Sequence, residues 1–430
     1  MRNFFQFQDR GTNYRKETMA GITTFLSMAY ILVVNPTILS QAGMDKGALF
    51  TATALSAIVG SLLIGLLANF PVGIAPSMGL NSFFTFSVVI GMGIDWEIAL
   101  TGVFVASVIF VILSLFKIRE KIINVIPKDL KHAIAGGIGF FIAFIGLKNA
   151  GIIVGAESTI VSIGQFTTPT TALAAFGFII TLMLMVRGVR GGIFYGIVIT
   201  SIVGMLAGLV AVPDSIVGQV PSLEPTFGVA FENLGNIWTP EILAVIFTFL
   251  FVAFFDTAGA LIAVASQAGI MKDNQIPNAG RALLADSTSG VAGAVSGTST
   301  TASFVESSAG VAVGGRTGFT SVVISVCFFI ALFFSPLLGV ITPEVTAPAL
   351  IIVGALMATE VKEINWDRFE IFVPAFVTII MMPLTSSVAT GIALGFILYP
   401  FAMIANRNWR QVHPIMYVLA FLFLLYFIFL

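Results

Sequence analysis

Long apolar runs separated by short polar breaks fill most of the chain. The pattern predicts membrane spans at 17–40, 48–70, 74–92, 97–116, 131–150, 171–187 and 191–211 in the first half. In the second half it predicts spans at 240–266, 280–297, 299–315, 317–336, 346–360, 369–384 and 387–405, fourteen in all. A further apolar run at 415–430 is about as long as the shortest spanning helices, and reads either as an extra span or as an interfacial helix. One stretch departs from the pattern. Residues 297–318, GTSTTASFVESSAGVAVGGRTG, set Thr298, Ser299, Thr300, Thr301, Ser303 and Ser307 around a single carboxylate, Glu306. Thr298 to Val305 is β-prone and too polar for a lipid-facing helix, while Ser307 to Val313 is small and suited to open a half-helix. A strand running into a half-helix leaves backbone groups unpaired, and such backbone survives at bilayer depth only where it lines a cavity.

A related interruption lies in the first half. FPVGIAPSMGLNSFF (70–84) is the third segment there, as 297–310 is the third of the second half, and Asn81 falls where Glu306 falls. IPKDLKHAIAGGIG (126–139) matches ITPEVTAPALIIVG (341–354), and GIFYG (192–196) matches GIALG (391–395), in the same order. Two copies of seven spans, an odd number, insert with opposite orientation. The expected architecture is therefore an all-α polytopic membrane protein of about fourteen segments in two inverted repeats, with spans 3 and 10 broken by short β-strands at mid-membrane.

Composition agrees with this class: 57% of the 430 residues are hydrophobic and 10% are charged, against about 25% charged in soluble domains. Charge then orients the chain. With the N-terminus in the cytoplasm, eighteen of the twenty basic residues share its side, from Arg2, Arg10, Arg15 and Lys16 through Lys117, Arg119, Lys121, Arg190 and Lys272 to Arg407 and Arg410. Only Lys46 and Lys148 lie opposite, which is the positive-inside bias. The loops 151–170 and 212–239 face outward, carrying Glu157, Asp214, Glu224 and Glu232 and no basic residue. A net charge of −1 suggests no nucleic-acid partner. The single cysteine, Cys327, excludes a disulfide framework and a cysteine metal cluster, and two distant histidines, His132 and His413, argue against a zinc site or a catalytic triad. No cofactor, no metal and no enzymatic activity are expected, and no cleavable signal peptide precedes the first span.

The candidate chemistry is then short. Asp256 sits mid-span in FTFLFVAFFDTAGALIAVA, where a carboxylate costs about 2.5–3.5 kcal/mol at the bilayer centre. Its plain alternative is an acid that packs helices and is satisfied by a neighbouring hydroxyl. Glu306 sits at a half-helix start. Asp286, in LLADSTSGVAG, lies nearer a span end among hydroxyls, where structural hydrogen bonding competes with ligand contact. Asn81 offers a donor and an acceptor, or simply an N-cap. Phe83 and Phe84 could stack on a flat ring, though the chain has 41 phenylalanines and most must face lipid or core. AGGIG (135–139) lacks the Lys-Ser/Thr of a P-loop and reads as a close helix contact. Two carboxylates and an amide, with no buried Lys or Arg, suit a neutral ligand bearing several N–H donors and suit an inorganic anion poorly.

GLNSFF at Gly79–Phe84, FFDTAG at Phe254–Gly259 and the stretch Gly297–Gly318 together resemble the Azg-like purine permeases of the nucleobase–cation symporter-2 group, the nucleobase–ascorbate transporters. The resemblance runs from FLSMAYILVVNP (25–36) through span fourteen. It implies the uracil-permease fold, with a core domain from spans 1–4 and 8–11 (14–116 and 240–336) and a gate domain from spans 5–7 and 12–14 (121–212 and 342–406). The C-terminal run 414–430 exceeds that plan. It also implies that Asp256 and Glu306 bind a purine and carry the coupling proton, that Asn81 supports them, and that Thr257, Phe84, Phe304 and Val305 line the site. The expected activity is proton-coupled uptake of hypoxanthine, guanine or adenine across the plasma membrane by movement of core against gate, with a homodimer possible for the group. An anion exchanger or sulfate-type transporter on the same fold is the alternative, and Glu306 argues against it.

Overall fold

A computed structural model describes residues 4–116, 127–156, 160–189, 191–213, 215–270, 278–340 and 342–429. The sequence expectations at Arg2, Lys117, Arg119, Lys121, Glu157, Arg190, Asp214 and Lys272 fall outside the described residues. In the first half the helices are α1 (Tyr14–Met28), α2 (Ile31–Leu39), α3 (Lys46–Leu63), the five-residue α4 (Met78–Ser82), α5 (Trp96–Leu115), α6 (Lys128–Asn149), α7 (Pro169–Val186) and α8 (Gly192–Leu206). The second half holds α9 (Pro240–Gln267), α10 (Ala279–Ser296), the seven-residue α11 (Ser307–Val313), α12 (Gly318–Ala331), α13 (Pro343–Ala358), α14 (Phe369–Thr385), α15 (Val388–Ala405) and α16 (Pro414–Phe429). Four strands accompany them: β1 (Ile74–Pro76), β2 (Ile153–Ala156), β3 (Ile160–Ile163) and β4 (Thr301–Ser303).

Among the described residues, seven helices are long and apolar enough to cross a bilayer, and shorter apolar helices such as Gly192–Leu206 and Phe369–Thr385 accompany them. The apolar run at 17–40 is not one straight rod. It breaks at Ala29 and Tyr30 into α1 and α2, which together form one of the seven, Tyr14–Ala42. The loop at 151–170, expected to face outward, holds β2 and β3, paired antiparallel with Val154 opposite Ser162, where the sequence predicts only a loop. Ile160, Val161 and Ile163 there are exposed, so no buried face marked the strands in advance.

Polar side chains set the ends of several helices. Asn13 accepts from Lys16 N at 3.0 Å to start α1, and Asp45 accepts from Ala48 N at 2.7 Å to start α3. At the start of α12, Glu17 is fully buried and accepts from Arg316 N at 2.9 Å, Thr317 N at 3.3 Å and Thr320 Oγ1 at 2.6 Å. That carboxylate answers the orphan amides and the positive end of the helix dipole. Arg316 itself donates through Nη1 to the carbonyls of Val311 and Gly315, both at 2.7 Å.

Small residues allow close helix contact. A Cβ on Gly139 of α6 would stand 2.6 Å from Gly354 O and from Ala358 N of α13, so only glycine permits this approach. AGGIG is thus a helix-packing motif. The packing falls into two groups: α6 lies against α13 and α14 with α7 against α13, while α10 lies against α3 and α5 with α1 and α3 against α12.

Candidate substrate site at the crossing of two broken segments

The fold brings together two tripeptides more than two hundred residues apart. β1 and β4 pair antiparallel, Ile74 with Ser303, Ala75 with Ala302 and Pro76 with Thr301. The ladder continues outward through Phe304 N donating to Gly73 O at 2.9 Å and Ser77 N donating to Thr300 O at 3.0 Å. Every residue of both strands is buried, so the outer edge of so short a ribbon has to find partners inside the protein. Serines provide them. Ser61 Oγ accepts from Ile74 N at 3.0 Å, Ser307 Oγ from Gly73 N at 3.0 Å, and Ser321 Oγ from Val72 N at 2.9 Å. Each strand runs directly into a short helix, β1 into α4 and β4 into α11.

Glu306 stands at the residue before α11, half-buried, and its Oε1 accepts from the Tyr30 hydroxyl at 2.6 Å. Val305 beside it is 55% exposed and Phe304 is buried. Asn81, in α4, is fully buried within the protein's own network. Its Nδ2 donates to Asn35 Oδ1 and its Oδ1 accepts from Ser299 Oγ, while Asn35 Nδ2 reaches Thr53 Oγ1 at 2.6 Å and Thr298 Oγ1 at 2.9 Å. Asn81 therefore supports the crossing by tying α2 to the chain entering β4. Phe84 is fully buried, with its ring centroid 6.4 Å from that of Phe249, and Phe83 meets Phe249 edge-on at 5.0 Å.

Behind the ribbon lies Asp286, buried on α10. It accepts from Thr257 Oγ1 of α9 at 2.8 Å, and Ser303 Oγ lies 3.5 Å away, at the limit of a hydrogen bond. A narrow void with room for little more than one water adjoins it, lined by Ser107, Phe110, Phe249, Ser287, Thr300 and Thr301 among others. Asp256 belongs to α9, one residue before Thr257, and its side chain is outside the described residues. The structure thus gathers Glu306, Phe304 and Val305 at one end of the ribbon, Asn81 at its flank, and Asp286 with Thr257 behind it.

Sequence reasoning passed over Tyr30 and Asn35, two polar side chains of the first span that hydrogen-bond at the crossing. Their signal was present, a phenol and an amide inside FLSMAYILVVNP, but neither carries a charge that hydrocarbon would penalise heavily enough to single it out.

Comparison with known proteins fixes the family. A model for the Permease family matches residues 15–394. The chain is 57% identical to guanine/hypoxanthine permease PbuG of Bacillus subtilis (strain 168), covering 100% of both chains. It is 42% identical to adenine permease AdeQ of Escherichia coli (strain K12), over 98% of this chain and 94% of that one. In fold it is similar to the transmembrane domain of the cyanobacterial bicarbonate transporter BicA, with a TM-score of 0.66 at 14% identity over 88% of this chain and 97% of that one. Relatives so named are permeases and not enzymes. This multi-pass membrane protein belongs to the Permease family, within the nucleobase–cation symporter-2 group that its motifs resemble.

Proposed function

We propose that the chain imports purine nucleobases, coupled to protons, through a site beside the β1–β4 crossing. The observation that carries the reading is Glu306, a half-buried carboxylate at the start of a half-helix, held at the exposed end of a buried ribbon. A carboxylate there accepts from ring N–H or exocyclic amine groups, as a guanine, hypoxanthine or adenine presents them, and the full-length likeness to permeases for those bases supports the class. Asp256 is the second acceptor in this reading, and Thr257, Phe84, Phe304 and Val305 complete the proposed site. A membrane carboxylate also changes protonation with its surroundings, which gives Glu306 and Asp256 a route to coupling.

The finer architecture follows the same reading. Fourteen segments in two inverted repeats place the ribbon at mid-membrane, and two features support this. Ala75 pairs with Ala302, the middle residues of two strands that come one from each matched interruption, and Gly139 meets Gly354, the matched glycines of the second sequence pair. Helices α6–α8 and α13–α15 form the gate and α1–α5 with α9–α12 the core, in keeping with the two packing groups, while α16 is additional to both. Alternating access is movement of one group against the other, in the plasma membrane with the N-terminus cytoplasmic. Exposed apolar residues such as Ile179, Met183 and Phe329 meet lipid, and a homodimer through the gate fits the group.

The fold likeness to a bicarbonate transporter keeps an anion exchanger in view, but an acid at 306 repels an anion. Labelled hypoxanthine uptake into proteoliposomes tests the reading. Uptake should saturate, be competed by guanine and adenine but not by uracil or sulfate, and collapse with an uncoupler. Glu306→Gln should abolish pH-dependent accumulation; persistence of that accumulation removes Glu306 as the coupling site.

A further inference from the structure

Tyr30 sits at the break between α1 and α2, only 1% exposed, and donates to Glu306 Oε1 at 2.6 Å. A bond of this length from a neutral hydroxyl to a carboxylate is of the short, charge-assisted kind. The phenol has one O–H to donate and a carboxylate only accepts, so the direction of the bond is fixed.

Both ends of the bond are anchored independently. On the Tyr30 side, its carbonyl accepts from Val33 N at 3.1 Å and Val34 N at 2.9 Å. Five residues on, Asn35 ties the same helix to Asn81, Thr298 and Thr53. On the Glu306 side, Ser307 is fixed to Gly73 by its hydroxyl, and Ala309 N donates to Glu306 O at 3.0 Å. The direction of the carboxylate is therefore set by packed elements and not by a mobile surface pair.

We propose that Tyr30 is a positioning residue for the transported base: it orients the Glu306 carboxylate and so sets the affinity for ring N–H donors. This rests on the reading of Glu306 as a purine ligand. Tyr30 is the residue that opens α2, and α2 carries Asn35, so one helix and its cap brace both broken segments. A loose glutamate would lose several rotamers on binding, and a pre-oriented one loses few, so the effect falls on affinity.

Tyr30→Phe keeps the ring and removes only the hydroxyl. For purified protein in detergent, the Kd for labelled hypoxanthine should rise about tenfold, the scale of a lost hydrogen bond to a charged group. In proteoliposomes KM should rise with it, while Vmax and the thermal unfolding midpoint stay near wild type. In a Glu306→Gln background, Tyr30→Phe should add nothing further to the Kd; full additivity overturns the coupling of the two residues. An unchanged Kd in Tyr30→Phe, with wild type binding hypoxanthine, overturns the positioning role and leaves the purine reading intact. Absence of purine binding in wild type overturns both.

Discussion

At the scale of single residues, the crossing is held by hydroxyls and amides more than by charge. Asn35 uses both its donors and its acceptor, on Thr53, Thr298 and Asn81, and all four side chains are buried. Truncating it removes three hydrogen bonds at once, although Thr53 keeps its bond to Leu49 O and Asn81 its bond from Ser299. Each orphaned buried group costs about 1–3 kcal/mol in water-soluble proteins. In a bilayer the average coupling falls to about 0.6 kcal/mol, because the unfolded chain finds partners too. Asn35→Ala should therefore destabilise the protein by about 1–2 kcal/mol, read as a lower unfolding midpoint in detergent. Asp286 and Glu17 show how the same residue type divides. Both are buried acids surrounded by donors, yet Glu17 caps a helix while Asp286 faces a cavity between helices.

At the scale of elements, the ribbon depends on backbone N–H groups that proline would remove. Ser77 N bonds Thr300 O just beyond the pairing, so Ser77→Pro should uncouple β1 from β4. The expected result is loss of purine uptake with protein still reaching the membrane, checked by transport alongside surface labelling. The α6–α13 contact is the other sensitive element. Gly139→Val places three carbons where Gly354 O and Ala358 N already stand 2.6 Å from the first. Separating two long helices there should lower the yield of monodisperse protein, measured by size-exclusion profile, far more than Gly208→Val would. Gly208 has open space around its Cβ position, although its φ of +69° adds backbone strain. The broken segments were legible because Gly, Pro and hydroxyl residues cluster in them. The β2–β3 pair was not, because its exposed faces impose no alternation.

For the whole molecule, orientation is the property most directly encoded in charge. Cysteine labelling tests it, once Cys327 is replaced. A cysteine at 160 should react with a membrane-impermeant maleimide added outside, while cysteines at 15 and 407 should react only after permeabilisation; the reverse pattern inverts the topology. The likeness of this fold to a bicarbonate transporter at 14% identity shows that architecture does not choose the cargo. In the proposed reading the choice falls to a few side chains at the crossing, with an acid where an anion would need a neutral or basic group.

What the sequence determined by itself was the membrane class, the family, the two interrupted segments and the carboxylates that hydrocarbon makes expensive. These are local or compositional properties: a long apolar run, a polar break, a motif. The tertiary structure decided which distant atoms meet. That Asn81 is tied to Asn35 and Ser299, that Asp286 lies behind the ribbon, and that Tyr30 reaches across 276 positions to Glu306 are consequences of packing. No periodicity encodes such contacts, because a buried hydroxyl reads the same in sequence whether it bonds its own helix or braces a site.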